Sequence, residues 1–452
     1  MLSNSAHDRD IEGHMHPQTD ARLHEKVGPM VIQKGDGIYV IDSEGNRFIE
    51  GMAGLWCASL GFSERRLADA AYQQSLSLPY QQIFAHRGNQ PTIDLAQALL
   101  AKSPGSMSKV LFQCSGSEAV DTAIKLVWYY QSALGRPEKR KIISRQKSYH
   151  GTTIASASLT GLPNMHKGFG ISIDGFITVT APHAYRNAKP GESDEAFATR
   201  LAAELEETIL REGPETIGAF FAEPVMGTGG VLVPPATYFD KVQAVLKKYD
   251  ILFVADEVIC GFGRTGAYWG CDRMGIKPDM LTCAKGLSSA YFPISALLIS
   301  DAIYQVLADR THEFGGFGHG FTYGGHPVGA AVALEAVKIY DEMDIVATVK
   351  ALEPQFQDGL RRFADHELIG EVRGIGLMGA LEFVADKSGK LPFDPSLKVA
   401  QRVSDELRKR GVLLRALGDT LVCAPPLIIK PSEIDIILQA LGESLDEVAA
   451  SL

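Results

Sequence analysis

The chain has 452 residues, more than one simple core accommodates, so two packed domains are expected. Its 54 acidic residues outnumber 44 basic ones, and the net charge of −10 argues against a nucleic-acid partner. No run of about 18 apolar residues is present to cross a membrane, the first residues lack the basic-then-apolar layout of a secretory leader, and six scattered cysteines with no C-x-x-C pair predict reduced thiols, no metal site and a cytoplasmic home.

The first 24 residues are rich in histidine. His14-Met-His16 reads as part of a polar arm and not as a metal site, because neither a carboxylate nor a third histidine is expected at helical spacing with the pair. Residues 37–50 alternate as a hairpin with a Ser-Glu-Gly-Asn turn. Residues 63–78 and 91–102 are expected to be helical. From about residue 109, short apolar runs alternate with helix-length amphipathic stretches. The runs cover residues 110–113, 141–144, 176–179, 217–222, 251–255, 280–283 and 295–299. Continuous apolar runs mark strands buried on both faces, and the helices between them predict a mostly parallel α/β sheet. One long helical stretch is expected from 327 to about 365, then strands near 375–383 and 420–424. The expected division is an N-terminal arm with part of a small domain (1–65), a large domain (66–330) and the rest of the small α+β domain (331–452).

Ligands of open parallel sheets bind beyond the carboxyl ends of the strands. The residues just after each apolar run are therefore the place to look for chemistry. Ser115-Gly-Ser-Glu-Ala opens a helix, where free N–H groups bind phosphate and Gly116 allows close approach; alone it reads equally as a plain N-cap. Tyr149-His-Gly comes after the second run and Glu223-Pro after the fourth. Asp256 ends five apolar residues and needs a partner, which a protonated pyridine nitrogen supplies. Lys285 ends another strand, and a desolvated lysine amine forms Schiff bases with aldehydes. Each residue taken singly has a commoner structural reading: a cap for Asp256, a solvated loop for Lys285, packing for Tyr149 and a satisfied core histidine for His150. Together they meet four separate requirements of pyridoxal phosphate (PLP).

The block Asp256-Glu-Val-Ile-Cys-Gly-Phe-Gly-Arg-Thr-Gly, followed by Pro278-Asp-Met-Leu-Thr-Cys-Ala-Lys-Gly-Leu, closely resembles class III (ω-)aminotransferases of PLP fold type I. Ser148-Tyr-His-Gly, Glu223-Pro-Val and His319-Gly-Phe-Thr-Tyr-Gly-Gly-His-Pro add to the resemblance. It implies that Lys285 holds the cofactor and moves the proton, that Asp256 pairs with the ring nitrogen, and that Tyr149 and Val258 flank the ring. Gly116 and Ser117 would take the phosphate, Glu223 would support the site through hydrogen bonds, and Thr322 would reach the cofactor of a neighbouring subunit in a homodimer, with tetramers left open. The amine:pyruvate branch of the family further implies Leu55, Trp56 and Thr228 in the substrate pocket, Phe84 reaching in from the partner, and Arg415 holding the carboxylate of a 2-oxo acid. The expected reaction moves an amino group from a primary amine or ω-amino acid to pyruvate. Rival readings are an aminomutase or decarboxylase on the same scaffold, or a PLP-binding regulatory protein. Thr228 stands where many amine transaminases carry alanine, which keeps ω-amino acids and polyamines open as donors.

Overall fold

A computed structural model describes residues 5–171 and 173–452. Its centre is a seven-stranded sheet in the order Met107–Gln113, Ser295–Ser300, Met280–Cys283, Leu252–Asp256, Ile217–Ala222, Lys141–Arg145, Phe176–Val179. Only Ser295–Ser300 runs antiparallel to its neighbours. The mostly parallel sheet expected from the apolar runs is present, with each run within a few residues of a strand.

Side-chain alternation explains why those runs are apolar throughout. Ala219 and Phe221 point into one cluster with Val120, Ile124 and Val127 of the helix Gly116–Ala133. Phe220 and Ala222 point the other way, into the larger cluster holding Phe239, Trp269 and Tyr340. Successive strand residues face opposite sides, so a strand covered on both faces has no polar position to spare.

Two smaller sheets flank this layer. The hairpin Tyr39–Asp42 and Arg47–Glu50 is joined by Ile32–Asp36 on one edge and, in parallel, by Val412–Leu413 on the other. The second small sheet has the order Ile369–Ile375, Met378–Phe383, Thr420–Cys423, Arg415–Leu417. Here the expectation of one strand over 375–383 is corrected: Gly376, at φ 56, turns the chain between two strands. The single helical stretch over 327–365 is also corrected. It is two helices, Pro327–Glu342 and Ile345–Arg361, broken where Asp344 takes φ 42 and its carboxylate caps the second helix.

The spacing argument for the N-terminal arm fails as well. Asp10 lies one helical turn before His14, and a turn between the helices Ala6–Gly13 and Ala21–Val27 brings His24 to the same carboxylate. Contacts across such a turn have no sequence period. No helix among the described residues is long and apolar enough to cross a membrane.

Candidate active site

The carboxyl ends of the parallel strands open into a cavity of about 1150 Å³. Gly116, Ser117, Tyr149, Glu223, Thr228, Asp256, Val258 and Lys285 all line it, as do Leu55, Trp56 and Arg415. Parallel register sets Asp256 opposite Thr282, and the Thr282 hydroxyl donates to Asp256 Oδ1 at 3.3 Å. The Val258 N–H donates to the same oxygen at 3.1 Å, and His150 Nδ1 lies 2.8 Å from Oδ2. Asp256 is 3% exposed, so these bonds fix both its position and its rotamer. Among the described residues His150 Nε2 is buried without a partner.

Glu223 sits behind this pair. Its two oxygens accept from the N–H groups of Tyr149 and Gly227, each at 3.0 Å, which ties the Tyr149 turn to the loop bearing Thr228. Burial pushes its pKa above the usual carboxylate range.

At the head of the helix Gly116–Ala133, Ser115 accepts from Glu118 N–H and Glu118 reaches back to Ser115 N–H, a reciprocal capping box. The N–H groups of Gly116 and Ser117 have no acceptor within the helix, because they lie in its first turn. A Cβ at Gly116 would stand 3.1 Å from Val258 Cγ1 and 3.7 Å from Ala284 Cβ, so a side chain there would fill the cradle. Gly151, at φ +140, comes close to Ser117 in a backbone conformation that favours glycine. This is the geometry of an anion site at a helix start.

Lys285 follows the strand Met280–Cys283 and adopts φ 46, a strained value for a residue with a side chain. Its side chain opens to the cavity, yet burial of the amine lowers its pKa below that of an ordinary lysine. Desolvation also raises the Tyr149 hydroxyl and lowers the Arg415 guanidinium from their usual values. Leu55 and Trp56 come from a tight segment in which Ala53, Gly54 and Trp56 all have positive φ. The buried Glu50 carboxylate accepts from the Gly54 N–H and holds this segment in place.

Two expected site residues do not line the cavity. Phe84 packs beside Gly320, and the carbonyl of Thr322 accepts from Tyr80 at 2.7 Å, so both lie together elsewhere on this chain. Sequence reasoning missed others that do line it. The sequence alone reads His150 as a structural histidine, although its place beside Tyr149 near a strand end is a signal for the site. Gln18, Cys57 and Lys147 carried no recognisable signal.

An aromatic, a deep carboxylate, a desolvated lysine and a helix-start cradle are brought to one cavity, as PLP requires. The family profile Aminotransferase class-III matches residues 21–445. The chain belongs to the class III aminotransferases. It is 49% identical over 442 residues to gamma aminobutyrate transaminase 1, mitochondrial, of Solanum lycopersicum, covering 97% of this chain and 86% of that one. It superposes on the omega transaminase of Pseudomonas jessenii in complex with PMP with a TM-score of 0.98 at 48% identity, covering 99% of both chains. A transaminase solved with L-Ala gives a TM-score of 0.92 at 53% identity, covering 93% of this chain and 99% of that one. This class III aminotransferase is therefore a PLP-dependent enzyme of fold type I. The residues of the cavity fit that cofactor.

Proposed function

We propose that this aminotransferase moves an amino group from a primary amine or ω-amino acid to pyruvate, giving a carbonyl product and alanine. One observation carries the reading. Arg415 lines the cavity with Lys285, and among the described residues no carboxylate is hydrogen-bonded or ion-paired to it. A half-buried guanidinium without a counter-ion is a place for a substrate carboxylate, which it pairs through two parallel N–H bonds. The relative solved with L-Ala supports alanine as the matching amino acid.

When bound, PLP supplies an aldehyde that condenses with amines and a protonated ring that draws in electron density. Lys285 Nζ, its basicity moderated by burial, removes the proton from the donor carbon that bears nitrogen. Asp256 would accept the cofactor's ring N–H, and His150 and Thr282 keep its carboxylate aimed. Gly116 N–H and the Ser117 N–H and hydroxyl would hold the phosphate. Tyr149 and Val258 would flank the ring. Glu223 acts indirectly, by holding the turns that carry Tyr149 and Thr228. Leu55, Trp56 and Thr228 shape the space for the donor's substituent. In the second half-reaction Arg415 holds pyruvate while Lys285 returns a proton to its carbonyl carbon.

The ω-amino acid donor is favoured by a second cation. Lys147 lines the same cavity, at φ 63, with its side chain exposed. Its ammonium suits a carboxylate remote from the reacting amine. The Solanum lycopersicum relative is by its name a gamma aminobutyrate transaminase.

The adjacency of Phe84 and the 320–322 segment supports a homodimer in which both serve a partner's cavity. The boundaries at 65 and 330 remain our division of the chain into a large domain and a small one built from both ends. All six cysteines are free thiols, which supports a cytoplasmic location; the tomato relative is by its name mitochondrial.

A panel of amines and ω-amino acids assayed with pyruvate and 2-oxoglutarate as competing acceptors tests the reading. Faster alanine formation is expected. Preference for 2-oxoglutarate overturns the pyruvate assignment, and no amino transfer with any donor favours an aminomutase or decarboxylase.

A further inference from the structure

Four side chains of the N-terminal arm converge on one point. The helices Ala6–Gly13 and Ala21–Val27 are joined through Pro17 and Gln18, the latter at φ 51, and the second helix folds back toward the first. His14 Nδ1 lies 3.2 Å from Asp10 Oδ1. Nε2 of His16 and Nε2 of His24 lie 2.8 and 3.0 Å from Asp10 Oδ2. Ring centroids are 4.4 Å apart for His14 and His16 and 4.2 Å apart for His16 and His24. The ligating atoms of Asp10, His14 and His16 all fall within 4.8 Å of one another.

A tetrahedral Zn²⁺ with bonds of about 2.1 Å places its ligand atoms about 3.4 Å apart. The atoms of Asp10, His14 and His16 are within a small side-chain adjustment of that spacing, and His24 Nε2 lies 3.0 Å from Asp10 Oδ2 beside them. Its donors are imidazole nitrogen and carboxylate oxygen, the set that borderline transition metals take over Mg²⁺ or Ca²⁺.

A second histidine–carboxylate cluster shows what such a group looks like when it is already neutralised. His183, Glu371 and Glu382 also bring three ligating atoms together. There Arg373 bonds Glu371 at 2.5 Å and Glu382 at 2.6 Å, and Arg186 bonds Glu382 at 2.5 Å. Guanidinium groups hold the place of a cation. Among the described residues the bonded partners of Asp10 are instead three imidazoles, whose facing nitrogens become ligands in the tautomer that carries the proton on the other ring nitrogen.

We propose that Asp10, His14 and His16, with His24 as fourth donor, bind a divalent transition-metal ion of the Zn²⁺ type. The ion is remote from the chemistry but bears on it. Gln18, two residues beyond His16, lines the catalytic cavity. Cross-linking the two arm helices fixes the turn that carries Gln18, so the ion stiffens one part of the substrate wall.

The test uses the holoenzyme, stripped with EDTA, desalted and titrated with ZnCl₂ by calorimetry, with bound metal counted by plasma emission. One Zn²⁺ per chain is expected, and affinity should fall at least tenfold in His16→Gln and in Asp10→Asn. Co²⁺ in place of Zn²⁺ should give visible d–d bands in the parent protein that disappear in both variants. Retained cofactor absorbance shows that the variants fold. As a check on the wild type alone, Zn²⁺ should slow tryptic cleavage after the exposed Arg22 several-fold. The proposal is overturned if the parent takes up no Zn²⁺ at about 100 µM free ion, a thousandfold below which zinc sites commonly saturate. It is also overturned if either variant binds as the parent does.

Discussion

Asp256, Lys285, Tyr149 and the Ser115–Ser117 turn all lie at the end of a strand of the central sheet or within four residues beyond it, whereas Leu55, Trp56, Thr228 and Arg415 sit on a strained four-residue segment, a loop and a three-residue strand. The first group is tied down many times over. Asp256 alone has three hydrogen-bond partners, and the helix cap at Ser115 is reciprocal. In the second group, among the described residues, no carboxylate pairs with Arg415 and the buried Trp56 indole N–H has no acceptor. A side chain held by several neighbours keeps one geometry, while one held by few can be changed without disturbing the rest. The difference teaches where the chemistry is fixed and where the choice of substrate is made.

If the first group carries the chemistry, Lys285→Ala should abolish turnover. A fall on the order of 10⁴-fold in kcat is expected, measured as alanine formation, with the circular-dichroism melt retained. Asp256→Asn keeps shape and removes charge, and kcat should drop about 10²- to 10³-fold. An Asp256→Asn enzyme with near-normal kcat would break the comparison at its strongest point. Arg415→Ala should leave turnover of a carboxylate-free amine nearly intact and raise the KM for pyruvate tenfold or more, as loss of a charge-assisted pair worth about 1.5–3 kcal/mol requires. Equal losses for both half-reactions would mean that Arg415 serves the fold.

A smaller effect reads Glu50, which fastens the segment bearing Leu55 and Trp56. Burial raises its pKa to about 7, and Glu257, buried behind the N–H groups of Gly270 and Cys271, is raised to about 7 as well. Both are protonated in the folded chain at pH values where the unfolded chain, near 4.5, has already released the proton. Their stabilising contribution is thus complete below about pH 4.5 and is lost as the pH rises through about 7. Thermal midpoints should fall between about pH 5 and 8, and Glu50→Gln should flatten part of that slope. An unchanged slope in Glu50→Gln would show that this carboxylate does not sense the titration.

Strand runs and the residues ending them were legible because burial on both faces leaves a mark in the sequence itself. Thus Phe176–Val179, Ile217–Ala222 and Met280–Cys283 begin and end where the apolar runs do. The Asp256-to-Lys285 block was equally plain. Less was legible where a few backbone angles decide the outcome. Asp344 at φ 42 splits an amphipathic stretch whose charged residues keep helical spacing on both sides of it, and Gly376 turns a strand into a hairpin. His150 was passed over because its bond to Asp256 spans 106 residues. The Asp10 and His24 contacts depend on a turn whose one clue was Pro17.

The parallel pairing of Val412–Leu413 with Arg47–Glu50 has a consequence for how the enzyme is made. Ile49 and Val412 are partners, yet the ribosome places more than three hundred residues between them. Gly51 donates to the Leu413 carbonyl, and its own carbonyl accepts from Ala424. The frame of the segment that carries Leu55 and Trp56 is therefore completed only when the chain is nearly finished, while the strands that bear Asp256 and Lys285 can assemble earlier during synthesis. Long-range pairing of this kind is slow and comes late. A nascent chain stalled before residue 412 would hold its catalytic groups with the substrate wall still unbuilt.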